Sequence, residues 1–79
     1  MITVRYFAGA RAAAGTAEEK VSAATLDELV DSLARTHGTA LARILGSASF
    51  LVDEVVCRDR TAPLADGASI DVLPPFAGG

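Results

Sequence analysis

One segment of the chain has the full pattern of an amphipathic helix, and this segment limits the folds that are available. Thr25 and Glu28 form a capping box, in which a threonine at the helix start is followed three residues later by a glutamate. Apolar residues then recur at helical spacing at Leu26, Leu29, Val30 and Leu33. Gly38 supplies a left-handed stop. Because only one face of this helix is apolar, it must cover another apolar layer.

Five short segments around the helix have the patterns of strands and would provide that layer. They are residues 2–7, 16–22, 50–52, 55–57 and 69–73. The first two lie too close for a crossover helix and should pair antiparallel, and Asp53-Glu54 should form a tight hairpin turn. Residues 8–15 predict a loop or a single helical turn, and residues 39–45 a short second helix. This order predicts an α+β roll, with a mixed sheet covered on one face by the main helix.

Composition excludes several classes of function. The chain has 79 residues, a net charge of -3 and no cluster of lysine or arginine, so we expect no nucleic-acid partner. Its single cysteine, Cys57, excludes a disulfide framework and a multi-cysteine metal site, and we assign it no catalytic role. So short a chain leaves little room for a bound cofactor. No segment has a signal-peptide or membrane-spanning pattern, so we predict a cytoplasmic location and no membrane contact.

The end of the chain is the most informative stretch for function. Pro74 and Pro75 favour an extended arm, and Gly78 and Gly79 could pass through a slot little wider than the backbone. We therefore predict a folded domain at residues 1–74 and a flexible C-terminal tail at 75–79. The alternative is an ordinary frayed terminus.

An apolar patch is predicted beside the root of this tail. Phe7 stands on an otherwise polar side of the first strand, and Leu73 ends the last strand. If these strands are neighbours, both side chains lie on the uncovered face and form, with Pro75 and Phe76, a partner site. Plain core packing is the alternative, since the alternation could be offset by one residue. His37, at the end of the helical stripe, is interpreted as a helix-terminus residue and not a catalyst.

Three motifs carry a resemblance to a known family. They are Tyr6-Phe7-Ala8 with Arg11 and Gly15, then Pro63-Leu64-Ala65-Asp66-Gly67, and the end from Leu73 to Gly79. Over nearly its whole length the chain resembles the small sulfur-carrier subunits of molybdopterin synthase. These belong to the ubiquitin-like β-grasp carriers, which also include the thiazole-synthesis carrier. The family often has an acidic residue after the arginine, where this chain has Ala12.

The resemblance implies a role and a set of site residues. An E1-like activating enzyme would use ATP to adenylate the Gly79 carboxylate, and a sulfur donor protein would convert it to a thiocarboxylate. The tail would then enter the large subunit of molybdopterin synthase and donate sulfur to cyclic pyranopterin monophosphate. Gly78 gives steric access, and the expected docking residues are Phe7, Arg11, Leu73, Pro75 and Phe76. The chain alone would be non-catalytic, without bound cofactor or metal.

Other roles remain open at the level of sequence. A carrier of the same fold could serve thiazole or cysteine synthesis, or could be a modifier joined to lysines of other proteins. A plain interaction module with an unreactive tail is a further alternative.

Overall fold

A mixed five-stranded sheet forms the frame of the protein, and the computed structural model describes residues 1–75 of it. The elements are β1 (Ile2–Tyr6), α1 (Gly9–Ala14), β2 (Glu18–Val21), α2 (Leu26–His37), α3 (Thr39–Leu45), β3 (Ser49–Val52), β4 (Val55–Cys57) and β5 (Ser69–Leu73). The strand order is β2-β1-β5-β3-β4, with β1 and β5 parallel and the other pairs antiparallel. The predicted mixed sheet is confirmed. The first and last strands, β1 and β5, are adjacent, which is the condition set for the predicted apolar patch.

The core lies between one face of this sheet and the helices. Alternate residues of the central strands point into it, namely Ile2, Val4, Tyr6, Ile70 and Val72. The helices contribute Leu26, Leu29, Leu33, Leu41 and Leu45, each 1% exposed or less. Burying a side chain of this size stabilises the fold by about 1.5 to 3 kcal/mol relative to leaving it in water. The two-residue periodicity of the strands and the 3.6-residue periodicity of α2 therefore direct apolar side chains into one shared layer.

The start of α2 agrees with the sequence, and its end differs in detail. The Thr25 hydroxyl accepts a hydrogen bond from the Glu28 amide at 3.2 Å, while the Glu28 carboxylate accepts one from the Ala24 amide at 3.3 Å. Gly38 has the expected positive φ of 87°, but its ψ of -167° is extended and not left-handed helical. Only glycine adopts this combination readily. It lets the chain turn from α2 directly into α3.

Several boundaries differ from the predicted ones, and β3 begins one residue early, at Ser49. β1 ends at Tyr6 and not Phe7, and β2 spans only Glu18–Val21. The alanine-rich segment forms the six-residue helix α1, which is longer than a single turn and ends at Gly15, whose φ is 77°. Alanine is the strongest helix former, so a run of it between two glycines extends a turn into a helix.

The helices are too short for a membrane span. Within residues 1–75, none is long and apolar enough to cross a bilayer. The division into residues 1–74 and a tail from 75 stays a prediction, because all but one residue of that tail lies outside the described part of the chain.

Candidate partner-docking groove

An open apolar groove of about 470 Å³ lies at the end of the sheet where β1 and β5 finish. We call it the tail-root groove. Its lining residues are Phe7, Ala8, Gly9, Arg43, Ile44, Ser47, Leu73, Pro74 and Pro75. Most of these side chains are apolar, and the groove sits where the chain leaves its last strand. An exposed apolar surface of this kind makes the groove a candidate site for a partner or a ligand.

Phe7 and Leu73 reach the groove because β1 and β5 are parallel and in register. Tyr6 pairs with Val72, so the residues that follow them, Phe7 and Leu73, lie side by side at the same end of the sheet. The Phe7 amide continues the ladder by donating to the Val72 carbonyl at 3.2 Å. Phe7 is 40% exposed, and Leu73 is half-buried. The predicted proximity of these two residues is therefore present, and Pro75 lies exposed at the same groove.

The second wall of the groove comes from α3 and the residues just after it, which the sequence did not indicate. Arg43, Ile44 and Ser47 line this side. Leu41 and Leu45 carry the buried stripe of α3, whereas Ile44 stands beside that stripe and is half-buried. The sequence did carry one signal for this wall, because Ile44 is an apolar residue beside an already complete core stripe. Which residues face Ile44 across the groove depends on tertiary packing, which the sequence pattern does not give. The groove thus joins the end of the sheet to the helical layer, and does not lie flat on the uncovered face.

A strained turn shapes the floor of the groove. Ala8 has φ 50° and ψ -127°, and the Ala10 amide donates to the Phe7 carbonyl at 3.0 Å. These values describe a type II′ turn, whose first central position normally holds glycine. A residue with a Cβ there costs about 1 to 3 kcal/mol, and such strain is concentrated at functional sites. The turn directs the chain from Phe7 into α1.

Arg11 lies apart from the groove. Its exposed side chain lines a separate cavity of about 300 Å³, together with Arg5, Phe7 and Glu18. Phe7 therefore stands between the groove and the Arg11 side of the molecule. The proposed partner contact of Arg11 remains a prediction. Phe76, Gly78 and Gly79 lie outside the described residues.

A bidentate ion pair fixes the two strands that carry the groove. The Arg5 guanidinium donates to both Asp71 carboxylate oxygens, at 2.7 and 3.0 Å. Asp71 is buried, and its hydrogen bonds are the main reason that the pKa of Arg5 is raised above its usual value. Arg5 and Asp71 are register partners, each two residues before a groove residue. The pair therefore holds Phe7 and Leu73 level with each other.

A second polar cluster lies on the helical side of β1. The buried Tyr6 hydroxyl donates to the Glu19 carboxylate at 2.6 Å, and the His37 ring contacts the same carboxylate. The Tyr6 and His37 rings meet edge to face, with centroids 5.9 Å apart. Burial, followed by the Glu19 hydrogen bond, raises the pKa of Tyr6 well above its ordinary value. His37 ends α2 as expected, but its acidic partner comes from β2 and was missed.

Cys57 lies away from the groove. It is half-buried on β4, and its thiol donates weakly to the Asp59 carbonyl at 3.5 Å. In residues 1–75, no group of three or more His, Cys, Asp or Glu side chains is arranged to hold a metal ion.

Comparison with solved structures places this fold in a known class. The structure is similar to the solution structure of small archaeal modifier protein 1 (SAMP1) from Methanosarcina acetivorans, with 26% identity, a TM-score of 0.86, and coverage of 99% of this chain and 95% of that one. It is also similar to a chain in the complex of subunits 1 and 2 of molybdopterin-converting factor from Helicobacter pylori, with 26% identity, a TM-score of 0.73, and coverage of 99% and 97%. The complex of BexX and CysO from Amycolatopsis orientalis gives 22% identity, a TM-score of 0.79 and full coverage of both chains, which supports the fold.

These neighbours define the class as ubiquitin-like β-grasp proteins, so the predicted fold is confirmed. The ThiS family model matches residues 4–79. The chain therefore belongs to the ThiS family, a family of ubiquitin-like sulfur carriers. Two of the neighbours were solved together with a second protein. No curated protein sequence gives a significant match to the chain.

Proposed function

We propose that this sulfur carrier acts as the small subunit of a molybdopterin synthase. One observation carries the proposal: the chain leaves β5 through Pro74 and Pro75 along an open apolar groove built around Phe7 and Leu73. A surface of this kind at the root of the tail would hold a large subunit while the last residues enter its active site. The similarity to a molybdopterin-converting factor chain, at 26% identity, supports the choice of pathway.

The proposed chemistry takes place at the Gly79 carboxylate. A carboxylate is a poor electrophile, because its leaving group would be oxide. On an E1-like activating enzyme, a carboxylate oxygen attacks the α-phosphate of ATP, pyrophosphate leaves, and an acyl-adenylate forms. A persulfide on a donor protein then attacks the carbonyl carbon and displaces AMP, which leaves an acyl disulfide. A thiol attacks the donor-side sulfur and forms a disulfide with it, and the S–S bond to the carrier breaks. The product is a thiocarboxylate, which is a soft nucleophile at neutral pH.

The carrier contributes position, and its partner contributes acid–base chemistry. In the described part of the groove, the polar lining side chains are Arg43 and Ser47, and neither is a residue type that commonly serves as a general acid or base. Phe7, Leu73 and Pro75 dock the large subunit, and Arg11 contacts it on the far side of Phe7. Docking places the thiocarboxylate against cyclic pyranopterin monophosphate. Transfer is then faster because the two reacting groups are held close together in a fixed orientation. Gly78 leaves room for the approach.

The proposal is tested by isolating the protein from its native extract, identifying its partner and recording its intact mass. We expect a pterin-synthase large subunit and a terminus in which sulfur replaces one oxygen. Recovery with a different synthase would contradict the pathway but keep the carrier chemistry. A variant extended by one residue beyond Gly79 should bind the same partner and receive no sulfur. Sulfur transfer by that variant would contradict the role of Gly79.

A second candidate function is protein modification. The observation that favours it is the higher TM-score to SAMP1, 0.86, than to the molybdopterin-converting factor chain, 0.73, at the same 26% identity. A modifier would be recovered as conjugates in which the Gly79 carbonyl is joined to lysine amines. Mass spectrometry of tryptic peptides from the native extract separates the two candidates. Only a modifier would leave its own residues 61–79, which follow the last arginine of the chain, attached to lysines of other proteins.

A further inference from the structure

The two edge strands of the sheet differ in how they meet solvent. β2 carries Glu18, Glu19 and Lys20 in four residues, and charges of this kind discourage pairing with another strand. β4 is uncharged, and its Val55 and Val56 are 68% and 54% exposed. An exposed edge of β-branched residues, with no proline and no lysine, is open to pairing.

The hairpin fixes which backbone groups of β4 face outward. Val52 and Val55 flank a two-residue loop, in which Asp53 and Glu54 have φ values of 48° and 72°. The residues that flank such a loop form a hydrogen-bonded pair, and bonded pairs alternate along the ladder. Val55 and Cys57 therefore direct their amide and carbonyl groups toward β3. Val56, between them, directs both groups away from the sheet.

We propose that β4 pairs antiparallel with β4 of a second copy of this chain, about a two-fold axis at Val56. The outward amide and carbonyl of Val56 then bond to those of its counterpart, and Val55 lies opposite Cys57 of the other copy. The two sheets become one continuous sheet. A two-fold contact of this type is self-complementary, as homodimers require.

Charge complementarity selects the second copy as the occupant. In this register Glu54 lies opposite Arg58 of the other copy, so the contact is flanked by two pairs of opposite charge. The next pair, Asp53 with Asp59, lies beyond the strand ends. Asp53 accepts a hydrogen bond from the Ser69 amide at 2.9 Å, and Asp59 accepts from Thr61 at 2.9 and 2.6 Å. Both carboxylates are thus held by their own chain.

The dimer is weak and leaves the tail-root groove open. β4 has only three residues, so the contact is small and of the transient kind. None of the residues from Glu54 to Arg58 lines the groove, so dimerisation and partner docking are compatible.

The proposal is tested by measuring the dimerisation constant of a series of charge-swap variants. The measurement is analytical sedimentation over a range of protein concentrations. We expect a concentration-dependent dimer for the unaltered chain. Glu54→Arg or Arg58→Glu turns two attractive pairs into repulsive ones and should weaken dimerisation about tenfold. The double variant restores opposite charges and should recover the original constant. A chain that stays monomeric up to its solubility limit, or a double variant that fails to recover, would overturn the proposal.

Cross-linking tests the register independently. Val55→Cys places a thiol opposite Cys57 of the other copy, in a non-bonded pair whose Cα separation of about 4.5 Å suits a disulfide. Mild oxidation should give dimers with 55–57 links, while the control Lys20→Cys on the other edge should not link through position 20. Links of 57 to 57 in the unaltered chain would mean a shifted register and overturn the pairing stated here.

Discussion

Tyr6 and Phe7 are consecutive residues in opposite environments, and their contrast explains how so small a fold combines a packed core with an exposed apolar groove. Tyr6 is 2% exposed, packs against His37 and donates a hydrogen bond from its hydroxyl to the Glu19 carboxylate. Phe7 is 40% exposed, has passed the end of β1 and lines the tail-root groove. One residue step along a strand reverses the direction of the side chain, so the same strand end supplies a core residue and a surface residue.

The difference matters because the two rings contribute to different free energies, Tyr6 to that of folding and Phe7 to that of binding. The burial of Tyr6 already stabilises the folded state. The exposed part of Phe7 still has apolar area to remove from water, worth about 25 cal/mol per Å² when a partner covers it. Stability and docking should therefore respond independently to substitution at these two positions.

Replacing Tyr6 by alanine should have the largest effect on stability. Deleting a buried aromatic ring leaves a cavity and costs about 3 to 5 kcal/mol of unfolding free energy, measured by urea denaturation. Phe7→Ala, at a half-exposed position, should cost under about 1 kcal/mol. Similar losses for the two variants would mean that Phe7 is a core residue and would remove the contrast.

Phe7→Asp should abolish docking while the fold survives. Placing a charge in an apolar contact should weaken binding to the large subunit by at least about 100-fold, measured by calorimetry. Thermal stability should change little. Val55→Asp makes the same change of charge on exposed β4, outside the groove, and should leave that affinity unchanged. Equal losses for both variants would point to net charge and not to the groove.

Tyr6→Phe removes only the hydroxyl, and with it the contribution of Tyr6 to the pH dependence of stability. Loss of the bond to Glu19 should cost about 1 to 2 kcal/mol at neutral pH. Burial and then Glu19 raise the pKa of Tyr6, so folding favours the protonated phenol. That contribution is complete below the unfolded value of about 10 and is lost as pH rises above it. The unfolding free energy of Tyr6→Phe should therefore fall less steeply at alkaline pH.

Since Tyr6 is the single tyrosine of the chain, tyrosinate absorbance reports this group alone. We expect it to appear together with unfolding. Ionisation of Tyr6 near pH 10 in the fully folded protein would contradict the account.

Ala8→Gly should stabilise the protein slightly. Glycine relieves the strain at φ 50°. Part of that gain is offset because glycine has more conformational entropy to lose on folding, so we expect the unfolding free energy to rise by about 0.5 to 1 kcal/mol. Ala12→Gly, in the exposed middle of α1, is the matched control and should cost up to about 1 kcal/mol. Thermal unfolding compares the two, and a loss of stability in both would mean that the turn carries no strain.

Cys57→Ser should have the smallest effect. Its thiol lies on β4, outside the groove, so the yield of sulfur-bearing protein in the intact mass spectrum should not change. A large fall in that yield, without unfolding, would give Cys57 a role in sulfur transfer.

Local patterns predicted most of the elements of this fold. The capping box at Thr25, the stripe on α2 and the alternation along β1 and β5 each depend on neighbours within a few residues. Asp53-Glu54 was also correctly placed as the turn of a hairpin, although neither residue is glycine. The closeness of Phe7 and Leu73 followed once the two strands were taken as neighbours.

The polar pairs between distant segments were not predicted. Arg5 and Asp71 are 66 residues apart, and Glu19 and His37 are 18 apart. Such contacts depend on strand register and helix docking, which a single sequence does not specify. The same limit explains why Ile44 was missed as a wall of the groove.

The central claim, that the tail-root groove is the partner interface, is tested most directly by NMR cross-saturation. The labelled chain is bound to the partner recovered with it from the native extract, and saturation is transferred from that partner. The account predicts the largest signal losses at Phe7, Ile44 and Leu73. Losses centred on Arg5 and Asp71, or on Val55 and Val56, with the groove unaffected, would contradict it.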